Sequence, residues 1–248
     1  MRVAFIHDWF TVNGGAEKVA KSILEALGEC EIYCLIDFFN TKDRDVILKG
    51  KNTHTSFLQY FPFAKKMYRN YLPFFPRAIE SFDLSEYDII ISSSFSVAKS
   101  VKVKPNQIHV SYCHSPMRYI WDMKEQYVND IKSPLKRIIV NKVFDSLRSW
   151  DKKTADGVTH FIANSNFIQQ RIQNSYERNS TVLYPPVDTE FFTLSNNKRK
   201  DYFLVVSRLV PYKKIGLIAE SFKKLPNEKL IIIGEGPELE HLPQLPNV

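Results

Sequence analysis

Two cations five residues apart, Arg208 and Lys213 in F-L-V-V-S-R-L-V-P-Y-K-K, form the pair best suited to chemistry in this sequence. An arginine fork and a lysine point charge together suit a diphosphate. The plain alternative is a basic surface loop. Gly14 and Gly15 form a second candidate: without Cβ atoms, their backbone N–H groups can approach a phosphate at a helix start. A lone Gly-Gly also serves ordinary turns, and it is neither the dinucleotide fingerprint nor a P-loop. His114, before Ser115-Pro116, is the third. It is placed for work at a cleft, although spacing alone favours a turn histidine held by hydrogen bonds.

The elements around these residues follow from periodicity. Phe203 to Val206 is short, apolar and β-branched, which predicts a strand. Pro211 then breaks regular structure. Ile215, Ile218, Ala219, Phe222 and Leu225 recur at helical spacing. Arg208 and Lys213 therefore lie on a strand-to-helix loop, the edge of an open α/β sheet where ligands bind. A further strand is predicted from Lys229 to Ile233, followed by Gly234-Glu235-Gly236-Pro237. At the other end, Arg2 to His7 reads as a strand. Ala16 to Leu27 reads as a helix capped by Gly28. Strands are also predicted at Glu31–Ile36, Tyr87–Ser92, Ile108–Cys113, Thr159–Ala163 and Thr181–Tyr184. A long helix runs through Leu135 to Trp150, and Ser165 is placed to cap another. Asp43-Arg44-Asp45 can be read as a metal-binding triplet, but a short helix start is favoured.

The chain has 248 residues, 44% hydrophobic and 25% charged, the make-up of a globular protein. No apolar run approaches the ~20 residues of a membrane span. The net charge of +7 suits an anionic ligand or anionic membrane surface; no nucleic-acid motif accompanies it. Cys30 and Cys34 are expected on one face of one strand, too far apart to pair. With Cys113 they read as reduced thiols of a cytoplasmic protein. Residues 57–82 interleave aromatics with Lys65, Lys66, Arg69 and Arg77. A membrane-surface patch and a pair of core-filling helices weigh equally there.

Taken together, these segments resemble the family-four glycosyltransferases, retaining enzymes of GT-B architecture with two facing Rossmann-like domains. The mannosyltransferase-like members are nearest in appearance. The resemblance rests on G-G-A-E-K at 14–18, S-Y-C-H-S-P-M-R-Y-I-W-D at 111–122, R-S-W-D at 148–151 and F-I-A-N-S at 161–165. It continues in V-L-Y-P-P-V-D at 182–188, V-S-R-L-V-P-Y-K-K at 206–214 and I-I-G-E-G-P at 232–237. It implies that Arg208 and Lys213 neutralise the diphosphate of a nucleotide-sugar donor. Gly14 and Gly15 would approach the phosphate, and His114 would lie near the transferred sugar. Asp8 is a weaker acceptor-side candidate. Negative charge grows on the departing diphosphate, so fixed cations there favour the transition state. No metal and no cofactor are implied; the donor is an NDP-sugar, with GDP-mannose one candidate. The implied partners are that donor, a glycan or lipid-linked acceptor and an anionic membrane surface. The expected location is cytoplasmic, with the inner membrane face as the docking option.

The expected fold class is α/β of GT-B type. Residues 1–188 are expected as an acceptor-side Rossmann-like domain, 189–201 as a linker, and 202–248 as a partial nucleotide-sugar-binding domain. The resemblance places the family's nucleoside- and sugar-binding E-x7-E motif beyond Val248, so an incomplete second domain is expected, with turnover by this chain alone in question. The alternatives are an inactive or split acceptor- and membrane-binding half and, against the W-D and S-R-L-V-P-Y-K segments, a sugar-nucleotide epimerase fragment.

Overall fold

A computed structural model describes residues 1–129, 131–194 and 198–248. It divides into two compact units, Met1–Val187 and Asp188–Val248. The linker expected over 189–201 falls in the second unit, and its residues 195–197 lie outside the described residues.

The first unit holds a seven-stranded sheet. Its strands are β1 (Val3–His7), β2 (Glu31–Cys34), β3 (His54–Thr55), β4 (Ile89–Ser94), β5 (Ile108–Cys113), β6 (His160–Ala163) and β7 (Ser180–Val182). Their order is β3-β2-β1-β4-β5-β6-β7, and every neighbouring pair is parallel. Order reverses between β1 and β4, which makes their carboxyl ends the switch point where open α/β sheets bind ligands. Alternation along β1 explains how the sheet is covered. Ala4 and Ile6 face a layer containing Trp9, Tyr68, Phe75, Ile79, Met117, Phe144 and Leu147. Phe5 faces the opposite layer with Ala20, Leu24, Ile47 and Leu48. Side chains two apart share a face, so one strand serves both cores.

The helices follow their apolar spacing. α1 (Gly15–Leu27) buries Val19, Ala20 and Leu24, and Gly28 ends it at φ +75°. α2 (Thr41–Leu48) absorbs the Asp43-Arg44-Asp45 triplet; the Asn40 side chain caps it by accepting from the Asp43 N–H. The two helices present in residues 57–82 are short. The stretch folds as 3-10 turns around α3 (Ala64–Met67) and α4 (Phe75–Ile79), because Pro62, Pro73 and Pro76 interrupt the backbone ladder. α5 (Lys124–Asn129) and the long α6 (Pro134–Thr154) follow, and α7 (Asn166–Tyr176) is capped by the Ser165 hydroxyl. Cys30 precedes β2 rather than lying within it, and all three cysteines are free thiols.

In the second unit, β8 (Phe203–Val206) and β9 (Leu230–Ile233) pair in parallel, joined through α8 (Ile215–Ser221). Ala219, Phe222 and Leu230 form its small core. Among the described residues, no helix is long and apolar enough to cross a membrane.

Candidate functional site

Arg208 and Lys213 sit where periodicity places them, on the loop between β8 and α8, and both side chains are exposed. Tyr212 joins them. Its hydroxyl lies 3.3 Å from an Arg208 guanidinium nitrogen, and Lys213 Nζ lies 5.8 Å from its ring centroid. Among the described residues neither cation has a carboxylate within ion-pair distance. Two like charges kept on one short loop, without internal neutralisation, can meet a dianion.

The rigidity of that loop comes from the next one. Ser207 N–H donates to Ile233 O at 3.0 Å, Leu209 N–H to Glu235 O at 2.8 Å, and Glu238 N–H to Leu209 O at 3.1 Å. Such close approach requires glycine. A Cβ on Gly234 would lie 1.8 Å from Ser207 O, and one on Gly236 would lie 2.2 Å from Leu209 O. Gly236 also holds φ +152°, open to glycine but not to other residues. G-E-G-P therefore braces the arginine loop, a role its composition alone did not disclose.

In the first unit the candidates gather at the switch point. His7 ends β1, Ser93 pairs with it across β4, and His114 follows β5. His114 Nε2 lies 2.9 Å from Ser93 Oγ, and Ser93 Oγ lies 3.1 Å from His7 Nδ1. His114 N–H also donates to Ser94 O, and Asn164 Nδ2 donates to His114 O. Burial pushes the His114 pKa down to about 3. Its imidazole is neutral at ordinary pH. The turn reading of His114 holds for its backbone, and its Nδ1 makes no protein hydrogen bond among the described residues.

Gly14 and Gly15 differ in role. Gly14 N–H donates to Glu17 Oε2 at 3.1 Å, so the helix already satisfies it. Gly15 is exposed, and a Cβ there would meet nothing within 4 Å. The N–H groups at the first turn of α1 lack acceptors four residues back, and Gly15 leaves space above them.

Asp8 does not serve as an acceptor-side group. It is fully buried. Its carboxylate accepts four backbone N–H groups, from Phe95, Ser96, Val97 and Ala98, at 2.6 to 2.9 Å. Burial raises its proton affinity and these donors oppose that rise. All its acceptor capacity is used to fasten the loop after β4.

Two other motifs are structural as well. In R-S-W-D, Asp151 accepts from Trp121 Nε1 at 2.8 Å and Tyr176 OH at 2.9 Å. Its Oδ1 lies 2.8 Å from Lys99 Nζ. Arg148 stacks over Trp121 and donates to Ile120 O. The W-D segment is therefore tied to α6, and R-S-W-D holds the fold behind His114. An open groove of about 800 Å³ runs along β5, β6 and β7 past His160, Arg178 and Val182, and none of the candidates lines it. Among the described residues no three His, Cys, Asp or Glu side chains group as metal ligands.

The model of Glycosyltransferase Family 4 matches residues 13–191. Comparison with curated protein sequences returns no match. Solved structures do match in fold. Anabaena HepE in complex with UDP is 14% identical with a TM-score of 0.56, covering 97% of this chain and 63% of that one. HepE with UDP-glucose is 16% identical with a TM-score of 0.54 over the same shares. Sucrose-phosphate synthase from Thermosynechococcus elongatus is 12% identical with a TM-score of 0.56, covering 96% and 64%. At such identities the likeness is one of fold. The chain spans under two thirds of the length of these structures.

Proposed function

The chain belongs to Glycosyltransferase Family 4, and on that premise we propose that it serves the transfer of a hexose from a nucleotide-diphosphate sugar to a glycan or lipid-linked acceptor. The observation that carries this is the Arg208–Tyr212–Lys213 cluster: two cations with no carboxylate partner among the described residues, on one strand-to-helix loop and joined through one tyrosine. Arg208 takes two diphosphate oxygens through its fork and Lys213 adds a point charge. As the glycosidic bond breaks, both stabilise the growing negative charge. Gly15 offers backbone N–H groups to a phosphate, with Gly14 capping the same helix, and His114 meets the sugar. We further propose a retaining mechanism with mannose or a related hexose, GDP-mannose being one candidate donor. The complexes of HepE with UDP and UDP-glucose support a nucleotide sugar in general and leave uridine donors in contention.

Titration calorimetry of the chain with GDP, UDP, GDP-mannose and UDP-glucose tests this. Binding of at least one of them is expected, weakened by about 10- to 150-fold in Arg208→Ala, the range for one lost hydrogen bond to a charged group. Equal affinity in wild type and variant for every ligand rejects the diphosphate assignment.

Docking at an anionic membrane is the second part of the proposal. Tyr60, Phe63, Met67 and Phe74 are exposed, and Lys65, Lys66 and Arg69 lie exposed among them. Phe63 holds φ +54° while presenting its ring to solvent, a conformation that costs a bulky residue energy. Other aromatics of the stretch, among them Tyr68 and Phe75, fill the core.

A further inference from the structure

We propose that His7, Ser93 and Glu17 form a buried relay that fixes the tautomer of His114, leaving its Nδ1 as a bare hydrogen-bond acceptor. Ser93 Oγ lies between His114 Nε2 at 2.9 Å and His7 Nδ1 at 3.1 Å. A hydroxyl has one hydrogen, so it donates to one ring and accepts from the other. The choice is made at the far end. His7 Nε2 is buried without a hydrogen-bond partner, 3.8 Å from Glu17 Oε1. Glu17 is itself buried, and its other oxygen accepts the Gly14 N–H. A carboxylate attracts an N–H and repels a nitrogen lone pair, and in a dry interior that difference is large. His7 therefore carries its hydrogen on Nε2. Its Nδ1 is bare and takes the Ser93 hydrogen. Ser93 accepts from His114 Nε2–H, and His114 Nδ1 is left bare.

The surroundings hold the relay still. The His7 ring is stacked on Phe10 at 4.7 Å and meets Phe95 edge-on at 5.7 Å. Asp8, next in sequence, is occupied by four amides and does not compete for the imidazole hydrogens. A neutral ring with a bare Nδ1 meets a group that brings its own hydrogen, such as a hydroxyl, and refuses a phosphate oxygen. That assignment of a ligand group rests on the sugar-transfer reading above; the tautomer does not. His7, Ser93 and Glu17 are positioning residues, acting through His114.

Ring-nitrogen NMR of isotope-labelled histidine in the whole chain at neutral pH tests the relay. His114 is expected as a single tautomer, protonated at Nε2 and bare at Nδ1. In Ser93→Ala and in Glu17→Met that single tautomer is lost, while Ser93→Thr, which keeps the hydroxyl, retains it. A hydrogen on Nδ1 of His114 in the wild type, or an unchanged tautomer in both disrupted variants, overturns the proposal. Should those variants fail to fold, the wild-type spectrum alone decides. If the tautomer is as stated but no nucleotide sugar binds, the relay stands and the sugar-transfer reading falls.

Discussion

Lys99 Nζ lies 2.8 Å from Asp151 Oδ1, with both side chains sealed from solvent. The ammonium also donates to Asp151 O at 2.8 Å, to Ser100 Oγ at 3.2 Å and to Thr154 Oγ1 at 3.4 Å, and it sits 4.6 Å from the Tyr176 ring centroid. The pair staples the 3-10 turn after β4 to the end of α6. Removing one member leaves an unpaired charge in the core. Lys99→Met or Asp151→Leu should therefore cost about 3–5 kcal/mol, read from urea unfolding midpoints. The double variant should recover part of that loss, and additive losses would mean that the two charges do not interact.

The glycines of the chain should separate into two kinds. Gly236→Ala combines a forbidden φ with a Cβ placed 2.2 Å from Leu209 O. Strain alone costs about 1–3 kcal/mol, so faster amide exchange across 203–233 is expected. Gly15→Val should fold normally, because a Cβ there meets open space, yet bind nucleoside diphosphate more weakly by covering the first helical amides. Unaltered affinity in Gly15→Val would reduce the Gly-Gly loop to a turn.

Acid should weaken the fold earlier than a carboxylate-driven transition would. Burial pushes both His109 and His114 from 6.5 down to about 3. Their folded pKa values are depressed, so the unfolded chain binds protons first. Stability is fully present above pH 6.5 and falls as pH drops toward 3, by about 1.4 kcal/mol per pH unit for each histidine. Denaturant midpoints at pH 7, 6 and 5 measure the slope. His109→Asn should flatten it, and a level profile between pH 7 and 5 would contradict the burial argument.

Membrane docking should be sensitive to charge. Each Lys or Arg near an anionic surface is worth about 1 kcal/mol. Changing Lys65, Lys66 and Arg69 to Glu should lower sedimentation with phosphatidylglycerol vesicles by at least a hundredfold in affinity. Phosphatidylcholine vesicles serve as the control, and added salt should weaken wild-type binding. Equal sedimentation of variant and wild type would leave the exposed aromatics without this role.

Much of the architecture is legible in the sequence alone. Periods of two and 3.6, Gly28 and Ser165 at helix ends, and Pro211 after β8 are local signals, each read from a few neighbouring residues. They were enough to place Arg208 and Lys213 on one loop and His114 at a strand end. The Tyr212 bridge was within reach of the same reading, since its partners lie within four residues in sequence. The proline-broken stretch at 57–82 was not, because alternating short turns carry no sustained period.

Tertiary structure decided what those positions mean. Ser93 meets His7 across 86 residues and His114 across 21, and that meeting exists only because β1, β4 and β5 lie side by side in parallel register. Strand order turned Asp8 from a loop acid into the anchor for four amides. It also turned Asp151 of R-S-W-D into a buried staple, and the glycines of G-E-G-P into the brace behind Arg208. The physical reason is common to all four. Periodicity reports which face of an element avoids water, a property of the residue and its neighbours. Hydrogen-bond partners are chosen by the register between elements, and only the folded sheet sets that.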